Sequence, residues 1–338
     1  MIRKEQCGAA APDRCLVSRL GYITTATAYR FLTLRFPSSR KLVNMSIAYN
    51  HVLDPTQQHT YAGPTRQQPP NLRGLIQSGK ILVGAVLSYP STQVARTLAA
   101  TGADWIWIDT EHVAWPNSVL VECIQIINHE SGGRMVPIVR VPSKTAFDIM
   151  AYALDAGAGG IILPHIETTE EVDAAAHACR FPPEGHRSFP PFTFIPGVTD
   201  TTPSGETVYT LANKHVAIIP QVESPLGITN IASIFAHPAV DAIMIGAGDL
   251  RLELGLPMGF VGTEPAFTSA MDAAAAAAKQ HPEKALVGAA LGPEMIEERL
   301  RLGFRMLITT IDFHTLAFGT LGDLKRARDS VEGSRYLK

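Results

Sequence analysis

From Ile76 onward, short runs of β-branched residues alternate with longer stretches in which apolar positions recur at helical spacing. This alternation is typical of a parallel β-sheet covered by helices. The predicted strands are Ile81–Leu87, Trp105–Glu111, Met135–Val141, Gly160–Ile166, His215–Glu223, Val240–Ile245, Ala285–Leu291 and Arg305–Asp312. The predicted helices are Ser91–Ala100, Ser118–His129, Ala146–Ala156, Thr169–Arg180, Pro225–Ala236, Glu264–Gln280, Glu294–Leu302 and Thr315–Ser330.

Eight strands and eight helices are the number that a closed (β/α)8 barrel requires. An open doubly wound sheet would place a glycine-rich phosphate loop after its first strand, whereas Ser88-Tyr89-Pro90-Ser91 stands there. The sequence therefore predicts an α/β protein with a TIM barrel over residues 76–330 and a non-barrel N-terminal extension. The connection Phe181–Lys214 is long and rich in proline and aromatic residues, and we expect it to form a lid or a subunit contact.

The segment ahead of the barrel differs in composition. Residues 1–44 contain eight Lys or Arg and two acidic residues, a bias that resembles a mitochondrial transit peptide. The alternative that we favour is a disordered or spurious extension ahead of a start at Met45, followed by an extended proline-rich arm over residues 45–75. The second interpretation implies a cytoplasmic protein and the first a mitochondrial one.

The composition of the whole chain narrows the function classes. It carries 29 Lys and Arg against 31 Asp and Glu, a formal charge of −2, which argues against nucleic-acid binding through a basic face. No stretch approaches the ~18 apolar residues of a membrane span, so we expect a soluble protein. The four cysteines lack the spacing of metal ligands, and we expect reduced thiols.

Chemistry in a TIM barrel lies where the strands end and the loops that follow them converge. Five consecutive predicted strands end in polar or charged groups, and buried charges are rare unless they are paired or bind a metal. These groups are Asp109, Glu111 and His112 at the end of the second strand, Arg140 at the end of the third, His165 at the end of the fourth, Gln221 and Glu223 at the end of the fifth, and Asp249 just after the sixth.

Glu223 and Asp249 are the candidate metal ligands. Two carboxylates from adjacent strands suit a hard divalent cation. No His or Cys accompanies them at ligand spacing, which favours Mg²⁺, or else Mn²⁺ or Co²⁺, over zinc. The alternative is a pair of acids that cap separate helices. Gly246 and Gly248 would let the backbone approach a ligand closely.

Arg140 and His112 are the candidate catalytic groups. A guanidinium at a strand end suits an oxyanion, because its fork of donors is rigid and always charged. Its alternative role is internal pairing with Asp109 or Glu111. His112 could act as a general base that Asp109 orients, or it could be an ordinary surface histidine. His165 is left open between a pocket contact and a local hydrogen bond.

These residues stand in segments that resemble the HpcH/HpaI family of class II, metal-dependent pyruvate aldolases. The resemblance spans about residues 74–330, and its spacing is most similar to a fungal branch that decarboxylates oxaloacetate and joins the resulting enolate to a 2-pyrone. The matching segments are WIWIDTEH at 105–112, PIVRVP at 137–142, GIILP at 160–164, FPPEGHR at 181–187, QVESPLG at 221–227 and DAIMIGAGDL at 241–250.

The resemblance implies a divalent metal, most simply Mg²⁺, a 2-oxo acid substrate and catalysis through a pyruvate enolate. It implies Glu223 and Asp249 as metal ligands, Arg140 as the group that stabilises the enolate oxygen, and His112 with Asp109 as the acid/base pair. The implied substrate contacts are Gln221, Gly248, His165, Trp107 and Phe192. Phe192 stands where the fungal branch carries a tyrosine, a difference that bears on the joining step and leaves enolate formation untouched.

Two further expectations follow from the same resemblance. Family members assemble as hexamers in which the last helix packs on a neighbour, and the apolar segment Phe313–Leu324 suits that contact. We therefore expect a homo-oligomer. Two other functions stay open: a lyase for citramalyl- or malyl-type coenzyme A thioesters, for which no basic patch is evident, and a catalytically silent barrel that acts as a binding module.

Overall fold

The computed structural model describes residues 70–190 and 202–337. The predicted basic segment 1–44, residues 45–69 of the predicted arm and the candidate Phe192 lie outside these residues. Among the described helices, none is long and apolar enough to cross a membrane.

Eight parallel strands close into one barrel in chain order, so the predicted TIM barrel is confirmed. The strands are β1 (Leu82–Leu87), β2 (Trp105–Asp109), β3 (Val136–Arg140), β4 (Gly160–Leu163), β5 (Ala217–Val222), β6 (Ala242–Ile245), β7 (Ala285–Ala289) and β8 (Phe304–Ile311). The helices are α1 (Leu72–Gln77), α2 (Thr92–Ala99), α3 (Asn117–Glu130), α4 (Phe147–Ala156), α5 (Thr169–Cys179), α6 (Val208–His215), α7 (Pro225–Thr229), α8 (Ile231–Ala236), α9 (Ala247–Glu253), α10 (Pro265–Lys279), α11 (Pro293–Arg301) and α12 (Asp312–Glu332).

The apolar residues form two layers because successive side chains of a strand point to opposite faces. One cluster fills the inside of the barrel and includes Trp105, Ile138 and Met306. The other lies between the strands and the helices and includes Ile106 and Phe267. The interior is thus a packed core, and a substrate can reach the barrel only at its ends.

Three helices were absent from the sequence-based prediction. The first, α1, falls within the predicted extended arm, whose last residues are therefore helical. Asn71 caps this helix by accepting a 2.8 Å hydrogen bond from Gly74 N, and its buried Leu72 and Ile76 join the interior cluster. The helix α6 falls largely within the predicted long connection, and α9 lies in a stretch to which no element was assigned.

The single predicted helix Pro225–Ala236 is two helices, α7 and α8, separated at Asn230. The side-chain amide of Asn230 donates a 2.8 Å hydrogen bond to the carbonyl oxygen of Glu167. A short polar side chain that bonds a neighbouring backbone competes with the helix, which explains the break at this position. The same hydrogen bond joins the segment after β5, which contains Asn230, to the loop after β4, which contains Glu167.

Candidate active site

A cleft of about 700 Å³ opens at the carboxyl end of the barrel. Four of its seven lining residues are acids and none is Lys or Arg. The lining residues are Glu111, His112, His165, Glu223, Asp249, Leu252 and Glu253. They follow β2, β4, β5 and β6, so the polar groups at the ends of these strands meet in one place, as the barrel geometry requires.

Arg140 lies beneath this cleft and is almost fully buried, with 5% of its surface exposed. It is paired in register with Asp109 of β2. Its Nε and Nη2 donate to the two carboxylate oxygens of Asp109 at 2.9 and 2.8 Å, a bidentate geometry that fixes the guanidinium plane. Nη1 lies 2.9 Å from Glu111 Oε2 and donates to Gln221 Oε1 at 3.4 Å. The alternative of internal pairing is therefore present in the structure.

The predicted pairing of Asp109 with His112 is wrong in this structure. Both Asp109 oxygens face Arg140, because the two residues are direct neighbours on adjacent strands. The imidazole Nε2 of His112 instead lies 3.6 Å from Glu111 Oε2, and 65% of the side chain is exposed. If a carboxylate assists His112, that carboxylate is Glu111.

Glu223 is buried, with 4% of its surface exposed, and both of its oxygens accept hydrogen bonds. The backbone N–H of His165 donates to Oε1 at 2.9 Å, and the side-chain amide of Gln221 donates to Oε2. Burial raises the pKa of Glu223, and the nearby charges of Asp249 and Glu111 raise it further. Burial likewise raises the pKa of Glu111. Arg140 offsets the charge of Glu111, but no described Lys or Arg pairs with Glu223 or Asp249, so a cation or a proton would relieve the repulsion between these two acids.

His165 adopts a left-handed backbone conformation with a φ of 52°, which is uncommon for a residue other than glycine. This conformation directs its N–H toward Glu223. Lys144 Nζ donates to the His165 carbonyl oxygen at 2.9 Å and thereby holds the peptide from the other side. The half-exposed imidazole has its Nδ1 4.0 Å from Glu223 Oε1. His165 therefore combines both of the roles that the sequence left open.

A divalent cation fits the donor set in chemistry. Mg²⁺ commonly binds proteins through one or two carboxylates, with water and substrate completing its octahedron, and Glu223 and Asp249 line the same cleft. A Cβ atom at position 246 would lie 2.2 Å from Glu223 Oε2, so only glycine leaves room for this carboxylate. Within the described residues, no set of three or more His, Cys, Asp and Glu side chains is arranged as a complete metal cage.

The remaining candidates fall around the cleft in different ways. Gln221 links Arg140 to Glu223. The Trp107 ring lies 4.3 Å from the Arg140 guanidinium, and its indole Nε1 is buried without a hydrogen-bond partner. Gly248 lies in α9, and a side chain there would meet open space.

Leu252 and Glu253 line the cleft from α9 and were not among the candidates predicted from the sequence. Glu253 follows Asp249 by four residues, and residues with this spacing share one face of a helix. A helix prediction for 247–253 would have revealed it, but the glycine-rich stretch GAGD obscured the helical pattern.

The model of the family described as HpcH/HpaI aldolase/citrate lyase matches residues 86–317, which is more than half of the chain. The chain belongs to this family. A 5-keto-4-deoxy-D-glucarate aldolase from Salmonella newport is 31% identical to it over 187 residues, which cover 55% of this chain and 70% of that protein. Both matches are consistent with a carbon–carbon lyase, so the family expected from the sequence is confirmed.

Solved structures give the same result. The crystal structure of a macrophomate synthase has a TM-score of 0.75 and 36% identity, and the match covers 81% of this chain and 94% of that one. A family protein from Burkholderia cenocepacia J2315 has a TM-score of 0.65 and 28% identity, covering 77% and 99% of the two chains. The likeness to macrophomate synthase agrees with the spacing of the sequence segments. The carbon–carbon lyase assignment thus rests on both sequence and fold.

Proposed function

We propose that this family member is a divalent-metal-dependent lyase that acts on 2-oxo acids through a pyruvate enolate. Its reactions would be the aldol cleavage or formation of a 4-hydroxy-2-oxo acid and the decarboxylation of oxaloacetate. The observation that carries the proposal is the cleft in which Glu223 and Asp249 lie together, with Glu223 buried among like charges. Such a cluster is characteristic of sites completed by a cation.

Glu223 and Asp249 would hold the metal, with Mg²⁺ preferred for its match to carboxylate oxygens. When bound, the cation would supply Lewis acidity toward the 2-oxo group. The chain contributes a fixed geometry for this purpose. The His165 N–H and the Gln221 amide orient the Glu223 carboxylate, and a carboxylate oxygen that accepts one hydrogen bond retains a lone pair for a further ligand.

Arg140 would stabilise the negative charge that develops on the 2-oxo oxygen as the C3–C4 bond breaks. Its position supports this role, because Asp109 holds one edge of the guanidinium and leaves an Nη2 hydrogen available. A donor that is already oriented needs no reorganisation when the charge appears. The stacked Trp107 ring further limits the movement of the guanidinium.

His112 would move the proton of the aldol reaction. In the cleavage direction it removes the C4 hydroxyl proton, the C3–C4 bonding electrons form the enolate, and protonation at C3 gives pyruvate with release of the aldehyde. Glu111, 3.6 Å from the ring, would stabilise the protonated imidazole. Loss of CO₂ from oxaloacetate leaves the same enolate and needs no base at the departing group.

The decisive experiment assays pyruvate formation from oxaloacetate, and aldol formation from pyruvate and an aldehyde, before and after chelation. We expect turnover that disappears with a chelator and returns with Mg²⁺, Mn²⁺ or Co²⁺. Turnover that survives complete chelation would contradict the metal requirement. Absence of both reactions in the metal-loaded protein would contradict the function.

We also propose that the protein is a homo-oligomer in which α12 packs against another copy. Of the residues in this helix, Asp312 is buried, while Phe313, Leu321 and Leu324 are 44%, 61% and 47% exposed. These three residues follow helical spacing and form an apolar stripe. Light scattering on Leu321→Glu and Leu324→Glu should show a smaller particle than the unmodified protein, and an unchanged mass would contradict the contact.

A further inference from the structure

The cleft has an outer wall that the proposed chemistry does not use. Leu252 and Glu253, adjacent residues near the end of α9, line the cleft beside Asp249. Leu252 is 54% exposed and presents an apolar surface at the edge of the cleft. Glu253 is exposed and has no hydrogen-bond or ion-pair partner among the described side chains. An aldehyde that leaves or enters beyond the metal ligands would meet this wall.

The Lys and Arg side chains nearest the cleft each have an acidic partner. Arg140 is paired with Asp109 and Glu111 beneath it. Lys144 is paired with Glu171. Arg251, on the same helix as the wall, points away and forms a bidentate pair with Glu264 at 2.8 and 2.7 Å. No described Lys or Arg side chain lines the cleft where it could receive a second carboxylate of the substrate.

On the basis of the function given above, we propose that Leu252 and Glu253 select an uncharged aldehyde as the second reactant. Leu252 contacts its carbon chain, and Glu253 repels an aldehyde that carries a carboxylate at its far end. Like charges roughly 7 Å apart across partly hydrated space lower binding by a factor of about 5 to 10. Added salt weakens this repulsion because Glu253 is exposed.

The test compares two four-carbon aldehydes, butanal and 4-oxobutanoate, each with pyruvate and the metal-loaded protein. We expect a higher kcat/KM for butanal. Glu253→Gln should raise kcat/KM for 4-oxobutanoate about fivefold relative to butanal, because it removes the charge and keeps the shape. Raising the salt concentration to about 0.5 M should reduce the preference of the unmodified protein more than that of the variant, which retains only the other acids of the cleft.

Two further variants define the wall. Glu283→Gln changes an exposed acid at the opposite end of the barrel and should leave the preference for butanal unchanged. Leu252→Ala should lower kcat/KM for butanal more than for the two-carbon glycolaldehyde, since the shorter chain has less apolar surface to lose.

Specific outcomes would overturn this inference. A preference for 4-oxobutanoate, or equal effects of Glu253→Gln on both aldehydes at every salt concentration, would show that Glu253 does not select charge. Oxaloacetate decarboxylation with neither aldehyde accepted would also overturn it while leaving the lyase function standing. Failure of all three substrates would remove the proposed function itself.

Discussion

Buried acids at the two ends of the barrel have neighbours of opposite charge. At the amino end, Asp241 is buried and accepts hydrogen bonds from Arg73 Nε at 2.7 Å and Ile218 N at 2.9 Å, with Arg180 3.6 Å away. At the carboxyl end, buried Glu223 faces Asp249 and Glu111 in a cleft that no described Lys or Arg side chain lines. One acid is surrounded by opposite charge and the other by like charge.

The pKa shifts of the two acids separate burial from the effect of the neighbours. Burial raises the pKa of Asp241, but Arg73 and Arg180 oppose the shift. Burial also raises the pKa of Glu223, and there the neighbouring acids add to it. Removing one member of a buried ion pair leaves the other charge uncompensated, whereas a cluster of like charges is poised for a ligand.

The largest expected effect is at the amino end. Asp241→Asn leaves Arg73 and Arg180 without their carboxylate, so it should lower the free energy of unfolding by about 3 kcal/mol, the scale seen when one member of a buried ion pair is removed. Urea unfolding at pH 7 measures it. The control Glu283→Gln, an exposed acid at the same end, should change the free energy by less than about 0.5 kcal/mol. Equal effects of the two variants would contradict the role given to Asp241.

The matched substitution at the carboxyl end, Glu223→Gln, should reduce activity and should not reduce stability. Glu223→Gln changes a proposed metal ligand and should lower kcat for oxaloacetate about 100-fold or more, equivalent to about 2.7 kcal/mol. Its free energy of unfolding in the metal-free protein should not fall, because the raised pKa means that folding disfavours the charged form of Glu223. For the same reason, the stability advantage of the variant should shrink as the pH falls and Glu223 becomes protonated.

Glu122→Gln, an exposed acid on α3, is the control for this variant and should leave both activity and stability near the original values. A Glu223→Gln protein that is active, or that unfolds as easily as Asp241→Asn, would erase the distinction between the two ends.

Most of the elements that form the carboxyl end could be predicted from the sequence. All eight strands, Glu223 and Asp249 were named from apolar runs and the polar residues that follow them. The pairing of Asp109 with Arg140 was harder to choose, because it depends on the register of β2 and β3, which places the two residues side by side. Periodicity along one strand does not determine its register with the next strand. For that reason His112, three residues from Asp109 in sequence, was assigned the wrong neighbour.

The missed helices had a related cause. Both α1 and α9 are short, with six and seven residues, and short helices owe their stability to tertiary packing more than to local propensity. Leu72 and Ile76 of α1 are buried inside the barrel, which a sequence read locally does not reveal. Because α9 was not predicted, Glu253 and the outer wall of the cleft were not predicted either.

A smaller effect on activity should distinguish the two proposed reactions, aldol formation and oxaloacetate decarboxylation. His112→Ala should reduce aldol formation about tenfold more than it reduces oxaloacetate decarboxylation, because only the aldol reaction transfers a proton at the aldehyde oxygen. His177→Ala, an exposed histidine on α5, should reduce neither. Steady-state kinetics on both reactions measure the difference, and equal losses for His112→Ala would remove it from the proton transfer.

The smallest expected effect is on the free energy of unfolding and comes from the ion pair of Arg251 with Glu264. Hydrogen bonds from Arg251 lower the pKa of the partly exposed Glu264 to about 2. An acid whose pKa is lower in the folded state stabilises that state above its unfolded pKa of about 4.3, and this contribution is lost as the pH falls toward 2. Glu264→Gln should therefore be slightly less stable than the unmodified protein at pH 7, and the difference should disappear between about pH 4.5 and pH 2. Urea midpoints across this range test it. A difference that stays constant with pH would mean that Glu264 acts through packing and that the charge of this partly exposed pair contributes nothing to the free energy of unfolding.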